Sequence, residues 1–278
     1  MKLIKIAFAT LTLLTTYQNS AQETLPKYTA SNKGKFYVYW GGNRSYYSGS
    51  DIRFKGSDYD FTLHNATAHD KPKGWHIDYI NPTKLTIPQT NARIGYFISD
   101  HYNVSLGLDH MKYVTTQFQE VSYDGYYPNQ GSYGESLPNG DVLLTKEFLT
   151  FEHTDGLNFI NAEINRVDDI SKLVQIRDTD KIQLNTTVGL GGGVLYPKTN
   201  AQMFGRQRYD DFKVSGFGFS AKAGLNLTFF KHYFIQYEAK IGYIDITNAR
   251  ISQNTTDKAM HHFTFFESII AVGGIFRL

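Results

Sequence analysis

The strongest constraint on this chain is an alternation of apolar and polar side chains that persists over ten or more residues, segment after segment. In residues 213 to 229, Phe217, Phe219, Ala221, Ala223, Leu225, Leu227 and Phe229 form one row, and Gly218, Ser220, Lys222, Gly224, Asn226 and Thr228 form the other. Residues 182 to 194, 102 to 113 and 233 to 243 repeat the pattern. A period of two puts alternate side chains on opposite faces of an extended strand. Runs of this length exceed the ~5–6 residues of an ordinary soluble strand and match the ~9–11 that a tilted strand needs to cross a hydrocarbon core. Tyr and Phe gather near the run ends, at Tyr96, Phe97, Tyr102, Tyr113, Phe229, Phe230, Tyr233, Phe234 and Tyr243, where amphipathic rings suit the headgroup level. The pattern predicts an all-β, antiparallel transmembrane β-barrel, apolar outward and polar inward.

The N-terminus has a different texture. Lys2 and Lys5 precede an apolar stretch from Ile6 to Leu14, and small residues follow at Ser20-Ala21 before Gln22. This is the layout of a secretory signal peptide over residues 1–21, which leaves an N-terminal extension at 22–33 and the barrel at 34–278. Of 28 basic and 26 acidic side chains, the signal segment holds two Lys and no acid, so the mature chain is formally neutral. A nucleic-acid binder would need a basic excess, so that partner class is excluded. The chain has no Cys, which excludes a disulfide framework, a thiolate metal site and a cysteine nucleophile. A mean hydropathy of −0.37 is too polar for a bundle of transmembrane helices.

Loop lengths should alternate, short in the periplasm and long outside. Ser99-Asp100-His101 and Lys231-His232 read as tight periplasmic turns, and residues 47 to 57, 117 to 145, 197 to 211 and 248 to 260 as external loops. The parity closes if residues 147 to 167 form one bulged strand. The apolar row there moves from odd positions (Leu149, Phe151, Leu157, Phe159) to even ones (Ile160, Ala162, Ile164), as one inserted residue would cause. With strands near 34 to 46 and 58 to 67, and a short one around Trp75 to Ile80, the expected total is about ten, within a range of eight to twelve.

At that size the lumen is barely wider than its side chains. The expected inward row holds Arg93, Asp109, Glu152, Lys222, Glu238, Lys240, Glu267 and Arg277, a balanced set suited to a paired network filling the lumen; a narrow small-solute channel is the alternative. The enzymatic candidate is Glu152-His153-Thr154-Asp155. With His153 and Asp155 on the row assigned to lipid, this stretch is similar to the His-x-Ser-Asn segment of outer-membrane phospholipase A and lipid A deacylases. That similarity implies a lipid-modifying hydrolase, although Asp155 stands where those families carry Ser. Gly189 to Gly193 resembles a phosphate loop only in composition, because it opens no helix. The pairs His261-His262 and His64 with His69 give no three-ligand metal set, and Asp51, Asp58, Asp60, Asp124 and Asp141 have no calcium-loop spacing. No metal and no cofactor is therefore expected. The Tyr-rich segment 117 to 145 is the place to look for an external ligand.

Over nearly the whole mature length the chain resembles the small outer-membrane β-barrel proteins of Bacteroidota-type bacteria. The resemblance is carried by Ser20-Ala21-Gln22, by Tyr96-Phe97-Ile98-Ser99-Asp100-His101-Tyr102, by Phe229-Phe230-Lys231-His232-Tyr233-Phe234-Ile235 and by the terminal Gly274-Ile275-Phe276-Arg277-Leu278. It implies residence in the cell outer membrane and assembly by the outer-membrane insertion machinery, and it names no activity. Outer-membrane lipid and lipopolysaccharide are the expected surroundings, and a structural or binding role through the external loops is the expectation for a barrel with a filled lumen.

Overall fold

The computed structural model describes residues 31–74 and 88–278. The expected signal peptide, most of the extension and the short strand at 75–80 fall outside these residues. In chain order the strands are β1 (Phe36–Tyr47), β2 (Ser50–Lys55), β3 (Asp60–Ala66), β4 (Ala68–His69), β5 (Thr90–Phe97), β6 (Tyr102–Thr115), β7 (Glu120–Val121) and β8 (Tyr123–Tyr126). They continue as β9 (Val142–Leu143), β10 (Leu149–Asp169), β11 (Ile182–Leu195), β12 (Lys198–Met203), β13 (Tyr209–Phe212), β14 (Gly216–Phe229), β15 (Tyr233–Arg250) and β16 (Lys258–Phe276).

Strands β1, β5, β6, β10, β11, β14, β15 and β16 pair in that order, and β16 returns onto β1 from Phe36↔Phe276 to Tyr47↔Phe265. The ring of eight is closed and leaves no open edge, as lipid requires of a spanning sheet. Among the described residues the ring holds eight strands, within the expected range of eight to twelve and below its central value of ten. The segment at 58–67 contains β3, which pairs with β2 and β8 rather than with the ring, and β1 pairs directly with β5. The alternation of Tyr59, Phe61 and Leu63 belongs to a strand with one face on an apolar core. A period of two reads the same whether that face meets protein or lipid.

The outer wall carries exposed apolar rows, among them Ile94, Leu106, Ile164, Leu190, Phe219, Ile235, Ile241 and Val272. On β15 the band runs from Tyr233 to Tyr243, ~25 Å of tilted strand. Exposed Tyr96, Tyr102, Tyr233 and Phe276 mark its lower end, and Tyr46, Tyr196, Tyr243 and Phe266 its upper end. A closed antiparallel ring with an apolar band and aromatic girdles is an outer-membrane barrel, and the chain resides in the outer membrane.

Above the band the architecture changes. Strand β10 has 21 residues and β16 has 19, so both project beyond it, and β12 pairs with β10 there while β2 pairs with β16. These additions enclose an apolar core that includes Ile52, Phe54, Phe61, Phe148, Phe151, Phe159, Phe204 and Ile246. Val121, Tyr127, Val142 and Leu144 turn into the same core. The segment expected to display aromatic rings is thus mainly a lid, leaving Phe118 and Tyr126 exposed. Buried Glu135 organises it, accepting hydrogen bonds from the Gly131 amide, from the Tyr133 amide at 2.7 Å and from the Tyr127 hydroxyl at 3.3 Å.

Strand β10 is continuous and irregular between His153 and Leu157, as expected, but three of its residues (154–156) oppose only Lys112 of β6. Two extra residues leave the parity unchanged, so odd positions face inward on both sides of the irregular stretch, and only Asp155 within it turns out: Phe151, His153, Phe159, Asn161 and Glu163 are all buried. What changes at this level is the chemistry of the interior, apolar above and polar below. Gly156 supplies the irregular backbone with φ +133, and a Cβ there would fall 2.5 Å from the Asn158 amide.

Candidate functional site

The lower interior is an ionic cluster whose charged side chains come from six strands, β5, β6, β10, β14, β15 and β16. Glu163 of β10 stands at its centre: Arg93 Nη2 is 3.0 Å, Lys240 Nζ 2.9 Å and Lys222 Nζ 2.8 Å from its carboxylate oxygens. Lys240 also meets Asp109 at 2.6 Å and Lys222 meets Glu238 at 2.5 Å. Arg93 donates to the Tyr39 hydroxyl at 2.9 Å and to Asn161 Oδ1 at 2.9 Å, and Glu267 accepts from Asn91 Nδ2 at 3.0 Å. The charged side chains in the salt bridges at this centre are at most 3 % exposed. The six residues Arg93, Asp109, Lys222, Glu238, Lys240 and Glu267 are thereby brought together.

Glu163 was missed, although its place opposite Ala162 and Ile164 marks it as inward. The glycine run of β11 makes room for it, because a Cβ on Gly191 would lie 2.6 Å from Glu163 Cγ. Two expected members are elsewhere. Glu152 is on the outer face, 3.5 Å from Lys71 Nζ and accepting from Asn200 Nδ2 at 3.0 Å, because the even positions of β10 point outward. Arg277 is exposed past the end of β16 and donates to the Lys33 carbonyl. Beneath the cluster, Asn103, Gln183, Asn185, Asn226 and Gln236 line a periplasmic recess of only ≈ 40 Å³, room for a water or two.

His153 does not face lipid. It is completely buried, with Nε2 3.3 Å from Nε2 of His261 and Nδ1 3.0 Å from the Thr199 hydroxyl. The two ring centroids are 5.5 Å apart, so the imidazoles meet end to end. On the far side, His261 Nδ1 is 3.4 Å from Ser50 Oγ, which donates to the His262 carbonyl at 2.9 Å. Tyr113, Phe151 and Phe263 pack around the pair. His261 pairs with Ile246, above Tyr243, so the site lies above the lipid band. Burial pushes the His153 imidazole down to about 3 and that of His261 well below the ordinary histidine value, which leaves both neutral and joined by one shared N–H.

The four-residue enzymatic candidate is therefore split. Asp155 is on the outer surface, 3.1 Å from Lys198 Nζ, Glu152 faces outward, Thr154 sits in the irregular stretch, and His153 points into a closed aromatic box. His153 has neither the carboxylate that would orient a general base nor access to a lipid ester. His261 and His262 point to opposite faces, one buried and one exposed. Among the described residues, no three His, Asp or Glu side chains converge on a metal position.

On the head surface, His64 of β3 is 2.8 Å from Asp124 of β8 and 3.4 Å from Asp51 of β2. The Asp124 hydrogen bond, helped by Asp51, raises the imidazole above its ordinary 6.5. A raised folded-state value means that the contribution is complete below pH 6.5 and is lost as the pH rises through the raised value. Protease sensitivity of residues 117–145 should therefore increase between about pH 6 and about pH 9, modestly because these groups are exposed. The His64→Gln variant should show no such pH dependence.

The sequence matches no family model and no curated protein. Among solved structures it is similar to the outer membrane protein OprG from Pseudomonas aeruginosa, at 12% identity over 90% of this chain and 99% of that one, with a TM-score of 0.40. It is also similar to the outer membrane protease OmpT from Escherichia coli, at 10% identity over 92% and 100% with a TM-score of 0.40. For the attachment invasion locus protein Ail of Yersinia pestis the identity is 12% over 88% and 99%, with a TM-score of 0.32. The placement of this chain in the outer membrane follows from its own closed ring and apolar band.

Proposed function

We propose that the chain is a non-conducting outer-membrane barrel that anchors a rigid extracellular head and acts through that head as a structural or binding protein. The observation that carries this reading is the double filling of the interior. Below, three cations and four carboxylates are mutually paired or hydrogen-bonded across the lumen. Above, the head core buries Phe54, Phe61, Phe148, Phe151 and Phe159. An eight-stranded ring leaves a lumen that side chains can fill, and a solute path would have to cross both an ionic and an apolar plug. The split of His153 from Asp155 speaks against the lipid-modifying hydrolase. Residues 1–21 act as the export signal in this reading, and the insertion machinery of the outer membrane delivers the closed ring. The test is conductance in planar bilayers. Purified barrel should add no current above the lipid baseline, and large, stable openings would overturn the reading.

A further inference from the structure

Above the upper girdle, β15, β16 and β2 set three cations in direct cross-strand register. Arg250 faces Lys258, and Lys258 faces Lys55. Directly opposed residues share a face of the sheet, so the three positive heads stand side by side on the outer surface, with Arg53 two positions along β2. Lys213 joins them: its ammonium is held down by burial first, and then by Arg250 and Lys258. Balancing acid is scarce. Asp60 is 2.8 Å from Arg53 and 3.4 Å from Lys55, and Asp211 is 3.9 Å from Arg250. Among the described residues, Lys258 and Lys213 have no carboxylate within ion-pair distance. Like charges directly opposed across strands oppose folding. Arg250 is held by the Ser252 and Gln253 carbonyls and lies over the Tyr209 ring, and Lys55 is directly opposed by Asp60, so Lys258, between them, is the cation whose charge a bound anion would offset.

A second observation lies below, on the same wall. Tyr46, Phe219, Ala221, Ile241, Tyr243 and Phe266 line an apolar recess on the lipid-facing side, at the outer end of the band. From Tyr243 to Arg250 is seven positions and from Phe266 to Lys258 eight, which on tilted strands is ~19 Å. A phospholipid with an acyl chain in the recess has too short a headgroup to reach the row. A lipid bearing several sugars is long enough.

We propose that this wall binds an anionic glycolipid of the outer leaflet, lipopolysaccharide, with an acyl chain in the recess and the phosphate or carboxylate groups of its inner oligosaccharide on Lys55, Arg250 and Lys258. The proposal deepens the reading of the head as a binding surface and rests on it, yet the two fail separately: lost binding leaves a non-conducting barrel, and conductance leaves the binding in place. The test uses the full mature chain in detergent with three probes, core-bearing lipopolysaccharide, deep-rough lipopolysaccharide with a minimal core, and phosphatidylglycerol vesicles. Wild type should prefer the first. A cation near an anionic surface contributes about fivefold, so the triple variant Lys55→Gln/Arg250→Gln/Lys258→Gln should lose about a hundredfold on that probe and little on the second. Heat-modifiable gel migration serves as the folding check. Equal binding of all three probes, or an unchanged variant, overturns the proposal. If the variant does not fold, wild type alone decides, because exposed cations are screened: its preference for core-bearing probe must collapse in high salt, and a salt-independent preference overturns the proposal.

Discussion

Replacing Lys240 by Met is expected to destabilise the barrel by about 3–5 kcal/mol, the cost of leaving a buried charge without its partner. Its ammonium is 2.6 Å from Asp109 and 2.9 Å from Glu163, and all three side chains are at most 1 % exposed. Removing it leaves those two carboxylates, among the described residues, with Arg93 and Lys222 as their remaining cations. The companion variant Asp109→Asn/Lys240→Met removes one charge of each sign and should recover most of the loss, because the desolvation of the pair disappears along with its attraction. Lys181, on a periplasmic turn and 2.9 Å from Asp178 with both side chains more than half exposed, is the control: its Met variant should unfold at the same urea concentration as wild type, because solvent screens the pair. Urea unfolding followed by heat-modifiable migration measures all three. If Lys240→Met behaves like the control, or opens a conductance without loss of stability, the cluster lines a conduit and is no plug.

This contrast also shows how much of the molecule was legible in its residues. The outer wall was: Phe217 to Phe229, Tyr233 to Tyr243 and Val104 to Leu108 face lipid as their alternation requires. The inward positions of Arg93, Asp109, Lys222, Glu238, Lys240 and Glu267 follow from the same parity. The reading stopped where the medium beyond a face changed. Apolar Phe151 and Phe159 belonged to lipid if the interior was polar at every height, and that assumption turned a parity-neutral irregularity into a one-residue shift. His153 was carried outward with it, Glu152 inward, and Glu163 was not noticed. The β3 strand misled for a related reason, since an extracellular core buries one row just as a bilayer does. Alternation reports that two faces differ, and only the pairing of β1 with β5 and β16 reveals which strands have lipid outside.

Those two apolar environments can be separated by experiment, and Phe61→Ala separates them most sharply. Phe61 is 1 % exposed, and its ring centroid is 5.2–6.2 Å from those of Phe54, Tyr59, Tyr127, Phe148 and Phe204. Truncation should cost the head about 3–5 kcal/mol, through lost burial and the cavity left behind. Among the described strands β3 pairs with β2 and β8 and with none of the ring, and the ring closes without it, so the loss should remain local. Limited proteolysis should then cut the variant within residues 48–74 and 117–145 under conditions that leave wild type intact, while the remaining barrel still migrates as a folded, heat-modifiable species. Ile241→Ala, which removes a similar apolar group from the lipid-facing wall, should do neither, because acyl chains fill the space that a protein core cannot. If Phe61→Ala abolishes heat-modifiability along with head protection, head and barrel are one cooperative unit, and the aromatic core then holds the ring itself together.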